Sequence, residues 1–407
     1  MRYLEPYKLA RDFYFSDRVL KANLQLSRDL RLKGGALKEK GADVIDLAGY
    51  LIESPYGEVE SHIDAIRAAV QDALKDGWPR PDLRGIRGLR TAISEMALRD
   101  LDIEVDPESE ILVTGGGSMQ AIYNIMQATI NPGDEVIIFS PGLTYDEHIQ
   151  LAGGRPVFVQ LKEEEGFRFD MEDVERAITA KTRMLVVNSP HNPTGHVAER
   201  NELDSLADIA KKHDLLVLSD EVLWKWVYDD YRHVSIASLS DMRERTIIVS
   251  SVTKNGMFDW RVGWSIANEA IVRQVEKIAF WQNEFAPPLL QIGAEGHLRG
   301  FSEWIPAVRK VMEEKMDLIY SGLAKIEQIL CFRPQGGLTV FPNIRNVCRS
   351  SMTFANDLLD AESVLVAPGI AYLGESHVRV GYSPSKEQIT EAIERIERFI
   401  ESRVKEH

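Results

Sequence analysis

Between Ile111 and Thr253 the chain alternates two kinds of apolar pattern. Short runs at 111–113, 135–140, 155–160, 184–188, 215–219 and 246–250 predict strands, and the apolar run that begins at Leu215 predicts one buried on both faces. The stretches between them carry apolar residues at three- and four-residue intervals, as in Leu203, Leu206, Ala207 and Ala210, or Met119, Ile122, Ile125 and Met126. Alternation of this kind predicts an α/β fold: a mostly parallel sheet with helices on both faces, and a ligand at the carboxyl ends of its strands.

The last third changes character. A long helical stretch over 302–330 gives way to short strands around Gly336-Gly337 and 364–367, and Ser383-Pro384 opens a final helix striped by Ile389, Ala392, Ile393, Ile396 and Ile400. The first 45 residues, charged and broken by Gly34-Gly35, are expected to pack with this part. The chain of 407 residues, 44% hydrophobic, exceeds one usual core. Two domains are therefore expected, a large one over 46–295 and a smaller α+β one from 1–45 and 296–407.

Chemistry gathers at the predicted strand ends. Thr246-Ile-Ile-Val249 runs into Ser251-Val-Thr-Lys254, and a lysine where a buried strand stops can be desolvated into a neutral amine that attacks a carbonyl. Arg261, close behind, offers a fork of donors suited to a phosphate. Leu215-Leu-Val-Leu-Ser-Asp220 ends in a carboxylate that needs a cationic partner if buried, and a protonated pyridine nitrogen is one. Met184-Leu-Val-Val-Asn188 leads into a turn punctuated by two prolines that presents the Asn192 amide. Gly115-Gly-Gly117 precedes a helix, and free amides at a helix start bind anions.

These segments resemble the class I/II, fold-type I, pyridoxal-phosphate-dependent aminotransferases over nearly the whole chain. His-Asn-Pro-Thr-Gly (191–195), Ser-Asp-Glu (219–221), Ser-x-Thr-Lys (251–254), Arg-Val-Gly-Trp (261–264) and Val-Arg-Val-Gly (378–381) stand in the family's order. The resemblance implies pyridoxal 5'-phosphate as cofactor, held by Lys254 as a Schiff base, with Asp220 on the pyridine nitrogen and Asn192 at the phenolic oxygen. It also implies phosphate contacts from Gly117, Ser118, the Met119 backbone, Ser251 and Arg261, and an Arg379 that grips the substrate's α-carboxylate, with Gly49 facing it. The implied protein is a homodimeric transaminase moving an amino group between an L-amino acid and a 2-oxo acid.

Several positions depart from the family's pattern. Leu223 stands where a tyrosine usually touches the phenolic oxygen, and Leu143 where an aromatic ring usually stacks on the cofactor, a role expected to pass to Tyr145. The 254–261 segment is one residue short and has Trp260 in place of a glycine, and the tyrosine usually lent to the partner subunit is missing near Trp78. These changes leave a pyridoxal lyase as the alternative reading, with a cofactor-binding regulator more remote. The apolar Tyr50-Leu51-Ile52 beside Gly49 favours a neutral or aromatic substrate.

Charge and composition narrow the rest. A net charge of -15 disfavours nucleic acid. Cys331 and Cys348 lack metal-ligand spacing and read as core thiols, and His191, His196 and His213 read as no metal site. With neither an apolar leader nor a run long enough to span a membrane, the expected location is the cytoplasm.

Overall fold

The apolar runs become sheet in a computed structural model that describes residues 14–49, 81–257 and 260–405, with scattered positions between 64 and 75. Among these residues the strands are β1 (Ile45–Asp46), β2 (Ile111–Thr114), β3 (Glu135–Ser140), β4 (Arg155–Gln160), β5 (Thr182–Asn188), β6 (Leu216–Asp220), β7 (Thr246–Ser251), β8 (Gly263–Ile266), β9 (Thr339–Val340), β10 (Val364–Leu365), β11 (Ala367–Pro368) and β12 (Val378–Gly381). Seven of them make the central sheet, in the order β2-β8-β7-β6-β5-β3-β4. All its pairings are parallel except those of β8, which runs antiparallel to both β2 and β7.

The pleat sends alternate residues of each strand to opposite faces, and each face is covered. On one side Ile137, Phe139, Leu185, Val187 and Val217 pack under the helix Arg200–Lys212, whose buried stripe is Leu203, Leu206, Ala207 and Ala210 as expected. That helix starts on a reciprocal capping box between Glu199 and Glu202. On the other side Val136, Ile138, Val186 and Leu218 meet Ile122, Ile125 and Met126 of the helix Gly117–Thr129. Met119 departs from that stripe: in the helix's first turn it faces away from the sheet and stays 53% exposed.

Two further differences have physical causes. The helix expected from 302 begins at Pro288 and runs to Leu323, because its glycines at 293, 296 and 300 obscure the apolar period while packing on the helix Arg87–Leu101 supplies the stability. Strand β8 was not foreseen, since Val262-Gly-Trp-Ser-Ile266 is short and holds a glycine. Cys331 and Cys348 are free thiols, half-buried at the edge of the main core and not within it.

The C-terminal third has its own antiparallel sheet, in the order β11-β12-β9, and a last helix, Lys386–Lys405, that buries Ile389, Ala392, Ile396 and Ile400 and packs on the helices Pro288–Leu323 and Ser351–Glu362. The N-terminal segment joins it: β1 pairs with β10, and Lys33 Nζ lies 2.7 Å from Asp360. No helix of the described residues is long and apolar enough to cross a membrane.

Candidate active site

Register places the chemistry. Asn188 pairs with Asp220, Asp220 with Val249, and Ser251 with Gly263, so the carboxyl ends of β5, β6 and β7 lie level. One cavity opens there, and its wall includes Ser118, Met119, Tyr145, Asn192, Asp220, Ser251, Lys254 and Arg261. Lys254 closes the single turn Val252–Lys254 that follows β7. Gly117, Gly49 and Arg379 stand just behind that wall.

At one end of the cavity the donors converge without acceptors. Ser251 Oγ and Thr253 Oγ1 are buried and have no hydrogen-bond partner among the described residues. Arg261 Nη2 donates to the Gly116 carbonyl at 2.9 Å, leaving the rest of its fork beside the helix start. Gly117 has φ of +72°, and a Cβ there would lie 3.1 Å from Arg261 Nη2. Gly263 is equally constrained, since a Cβ would fall 2.4 Å from the Gly117 carbonyl carbon. Arg261 itself sits at φ of +54°, a left-handed conformation that costs a side-chain-bearing residue about 1–2 kcal/mol. Orphaned hydroxyls, a guanidinium and a helix N-terminus around one small space make an anion site that suits a phosphate.

At the other end stands Asp220, 2% exposed. Burial pushes its carboxyl up to about 6, against the lowering effect of the Tyr145 hydroxyl, which donates to Oδ2 at 2.8 Å, and of the Val222 amide at 3.2 Å. Ring stacking was the expected use of Tyr145; the hydroxyl contact with Asp220 is an added one. Leu143, in the position where the aromatic was missed, lines the cavity with its apolar side chain.

A raised carboxyl stabilises the folded chain below its unfolded value, and that contribution is lost as pH climbs through about 6. In the cofactor-free protein, Asp220→Asn should therefore be the more stable form at pH 8, by up to about 3 kcal/mol, with the advantage growing between roughly pH 4 and pH 7. Unfolding curves of both proteins across that range test it; a difference that does not vary with pH would show that burial does not tax this carboxylate.

The candidate carboxylate grip is held on three sides. Arg379 Nη2 donates to the Ala48 carbonyl at 2.8 Å, Nη1 lies 3.5 Å from Asn192 Oδ1, and the guanidinium rests 4.3 Å from the centre of the Tyr372 ring. Gly49 is placed beside it by Asp46, whose Oδ1 accepts from the amides of Ala48 and Gly49. Asn192 thus bridges the cavity wall and the arginine. Residues 50–52, Trp78 and residues 258–259 lie outside the described residues. The three histidines have protein partners: His191 with Thr194, His196 with Glu202, and His213 with Glu175.

Comparison with known proteins decides the family. The model of the family "Aminotransferase class I and II" matches residues 50–396. The chain belongs to the class I and II aminotransferases. It is 35% identical to the aspartate aminotransferase of Bacillus subtilis over 91% of this chain and 94% of that one. It is 33% identical to aromatic-amino-acid aminotransferase 2 of Thermococcus litoralis over 83% and 88%. Its fold matches the aspartate aminotransferase of Thermus thermophilus solved with maleate, at a TM-score of 0.88 and 30% identity, covering 95% and 100% of the two chains.

This aminotransferase works with pyridoxal 5'-phosphate, and the cavity fits that group: unmatched donors at one end, a buried carboxylate at the other, and a lysine between them. Sequence reasoning missed Thr253, although Ser-x-Thr-Lys already displayed it. It also missed Thr339 and Leu338, which reach the wall from β9 and the residue before it. No local pattern marks these two, because only the tertiary fold brings the small sheet over the cavity.

Proposed function

We propose that Lys254, Asp220, Asn192 and Arg379 divide the work of amino-group transfer between an L-amino acid and a 2-oxo acid. The observation that carries this reading is the convergence of Lys254, Asp220, the unmatched Ser251 and Thr253 hydroxyls and the Arg261 guanidinium on one cavity. Bound pyridoxal phosphate supplies an electron sink that acidifies the substrate's α-hydrogen. Asp220, buried with the Tyr145 hydroxyl and the Val222 amide as its hydrogen-bond partners, would hold a proton on the cofactor's pyridine nitrogen. Lys254 would hold the cofactor through its amine and, once free, would move the proton of the substrate's α-carbon. Asn192 donates to the cofactor's phenolic oxygen while its own oxygen faces Arg379. Gly117, Ser118 and the Met119 amide, with Ser251, Thr253 and Arg261, hold the phosphate.

Arg379 would bind the α-carboxylate common to donor and acceptor, with Gly49 leaving room beside it. Arg379→Leu should accordingly raise the Michaelis constant of every α-carboxylate substrate alike, and steady-state kinetics on several amino acids checks it. Equal turnover of amines lacking a carboxylate by the unaltered enzyme would assign Arg379 another task.

For the side chain we favour a neutral or aromatic amino acid. Ile122, Leu143, Val222, Leu223 and Leu338 make much of the described wall apolar, and its described cations, Lys254 and Arg261, are already engaged by the cofactor's needs. The test adds each amino acid to the cofactor-loaded enzyme and follows conversion of its absorbance to that of the amine form. Fastest conversion by aspartate would overturn the preference, and release of pyruvate or ammonia would point to elimination.

We read the chain as two domains, 46–295 and the pair 1–45 with 296–407, spanned by the helix Pro288–Leu323. The β1–β10 pairing supports grouping the N-terminal segment with the smaller part. A homodimer accounts for Trp281, 85% exposed on a helix that packs beside the cofactor-binding one.

A further inference from the structure

Trp226 lies six residues past Asp220, fully buried, and its indole Nε1 donates to the backbone carbonyl of Lys254 at 2.8 Å. The neighbouring peptide is fixed too, since His297 Nε2 contacts the Asn255 carbonyl and Asn255 Nδ2 donates to the Ser251 carbonyl at 2.9 Å. Trp226 is itself pinned. Its carbonyl accepts from the Gly337 amide at 2.8 Å, and the Gly337 carbonyl accepts from the hydroxyls of Tyr228 at 2.8 Å and Tyr382 at 2.6 Å. Tyr382 immediately follows β12, the strand that carries Arg379.

We infer that Trp226 is a positioning residue for Lys254, acting through the lysine's backbone carbonyl. This rests on the assignment of Lys254 as the residue that binds the cofactor. A lysine side chain has four rotatable bonds, so its amine can return to one place only if its main chain is fixed. Here the peptide lies in a turn one residue shorter than the family's pattern, beside an Arg261 in a left-handed conformation. An indole N–H suits the task because it donates without ionising, and with a rigid ring on only two side-chain torsions it loses little freedom when buried. Through Gly337 and Tyr382 the same residue ties the lysine's peptide to the strand of the carboxylate-binding arginine. The geometry required for attack and the geometry required for substrate binding thus share a support.

The step affected is attachment. The neutral amine of Lys254 adds to the cofactor's aldehyde carbon, a C=N bond replaces C=O, and the carbonyl oxygen leaves as water with the two amine protons. The test reconstitutes the cofactor-free protein with pyridoxal 5'-phosphate and traps attachment over time with borohydride, mapping the labelled peptide by mass. In Trp226→Phe the attachment rate should fall about tenfold or more, while affinity for pyridoxamine 5'-phosphate, which cannot bond to a lysine, stays within about twofold. The pH midpoint of the attached cofactor's absorbance should move as well. Should Trp226→Phe fail to fold, replacement of Trp226 by 3-benzothienylalanine keeps the shape, exchanges N–H for sulfur, and should slow attachment to the same degree.

An unchanged attachment rate with label on Lys254 in both proteins would overturn the inference while leaving the lysine's role intact. Parallel loss of pyridoxamine 5'-phosphate affinity would also overturn it, by making Trp226 a general support of the cavity. Label on a different lysine in the unaltered protein would remove the Lys254 assignment itself, and the inference with it.

Discussion

Lys254→Ala should still bind pyridoxal 5'-phosphate and yet turn over no substrate. The donors proposed to hold the phosphate are Ser118, Ser251, Thr253 and Arg261, and the carboxylate proposed for the ring nitrogen is Asp220; all of them line the cavity independently of the lysine. What would disappear is the amine proposed to bond to the cofactor and to move the substrate's α-proton, and no other described lysine lines the cavity. Dialysed protein should keep an absorbing cofactor that borohydride no longer fixes to the chain, and steady-state assays should read background. Appreciable residual turnover, or a reduced cofactor mapped to another lysine, would refute the assignment.

Asp220→Ala should cost on the order of 10³-fold in turnover, several kcal/mol of transition-state stabilisation. The carboxylate is buried at the end of β6 with Tyr145 and the Val222 amide as its hydrogen-bond partners. Neither partner neutralises it, so a protonated ring nitrogen is the group that best satisfies the charge, and removal of the charge lets that proton go. The measurement is the rate of a single half-reaction, which separates chemistry from product release. A loss of tenfold or less would mean that Asp220 serves the fold alone. The pairing with Asp220→Asn is informative, because the same substitution that relieves the empty protein at pH 8 should impair the loaded one.

Much of the large sheet was legible because its inner strands are buried on both faces and write themselves as short apolar runs; the edge strand β4 differs, with Arg155, Phe158 and Gln160 exposed. The boundaries of β3 and β4 agree with the runs at 135–140 and 155–160. Strand β8 was not legible, since a four-residue antiparallel insert is held by its neighbours β2 and β7 and owes little to its own composition. The helix Pro288–Leu323 was read late for a related reason: its glycines weaken the local signal, and contact with the helix Arg87–Leu101 overrides it.

For the site, motifs at strand ends were readable because chemistry demands particular residue types there. Partnerships between distant segments were not. Nothing in Pro-Gly-Leu-Thr-Tyr announces that Tyr145 points its hydroxyl at Asp220, 75 residues away. Nor does the run of two tryptophans around Lys225 reveal which indole meets Lys254. These are facts of packing, fixed only when the layers close.

The left-handed backbone of Arg261 has a consequence for how the protein lives in a cell. A residue held against its own conformational preference stays there only while its surroundings repay the strain; here the Gly116 carbonyl, which accepts from Arg261, repays part of it, and a phosphate bound as proposed beside Gly117 would repay more. Ligand that binds the folded chain alone raises its stability with the logarithm of the ligand's concentration. The supply of the vitamin-derived cofactor would then govern how many copies of the enzyme survive as well as how many are active. Scarcity would expose relaxed, cofactor-free chains to proteolysis, and the amount of catalyst would follow nutrition without any dedicated regulator.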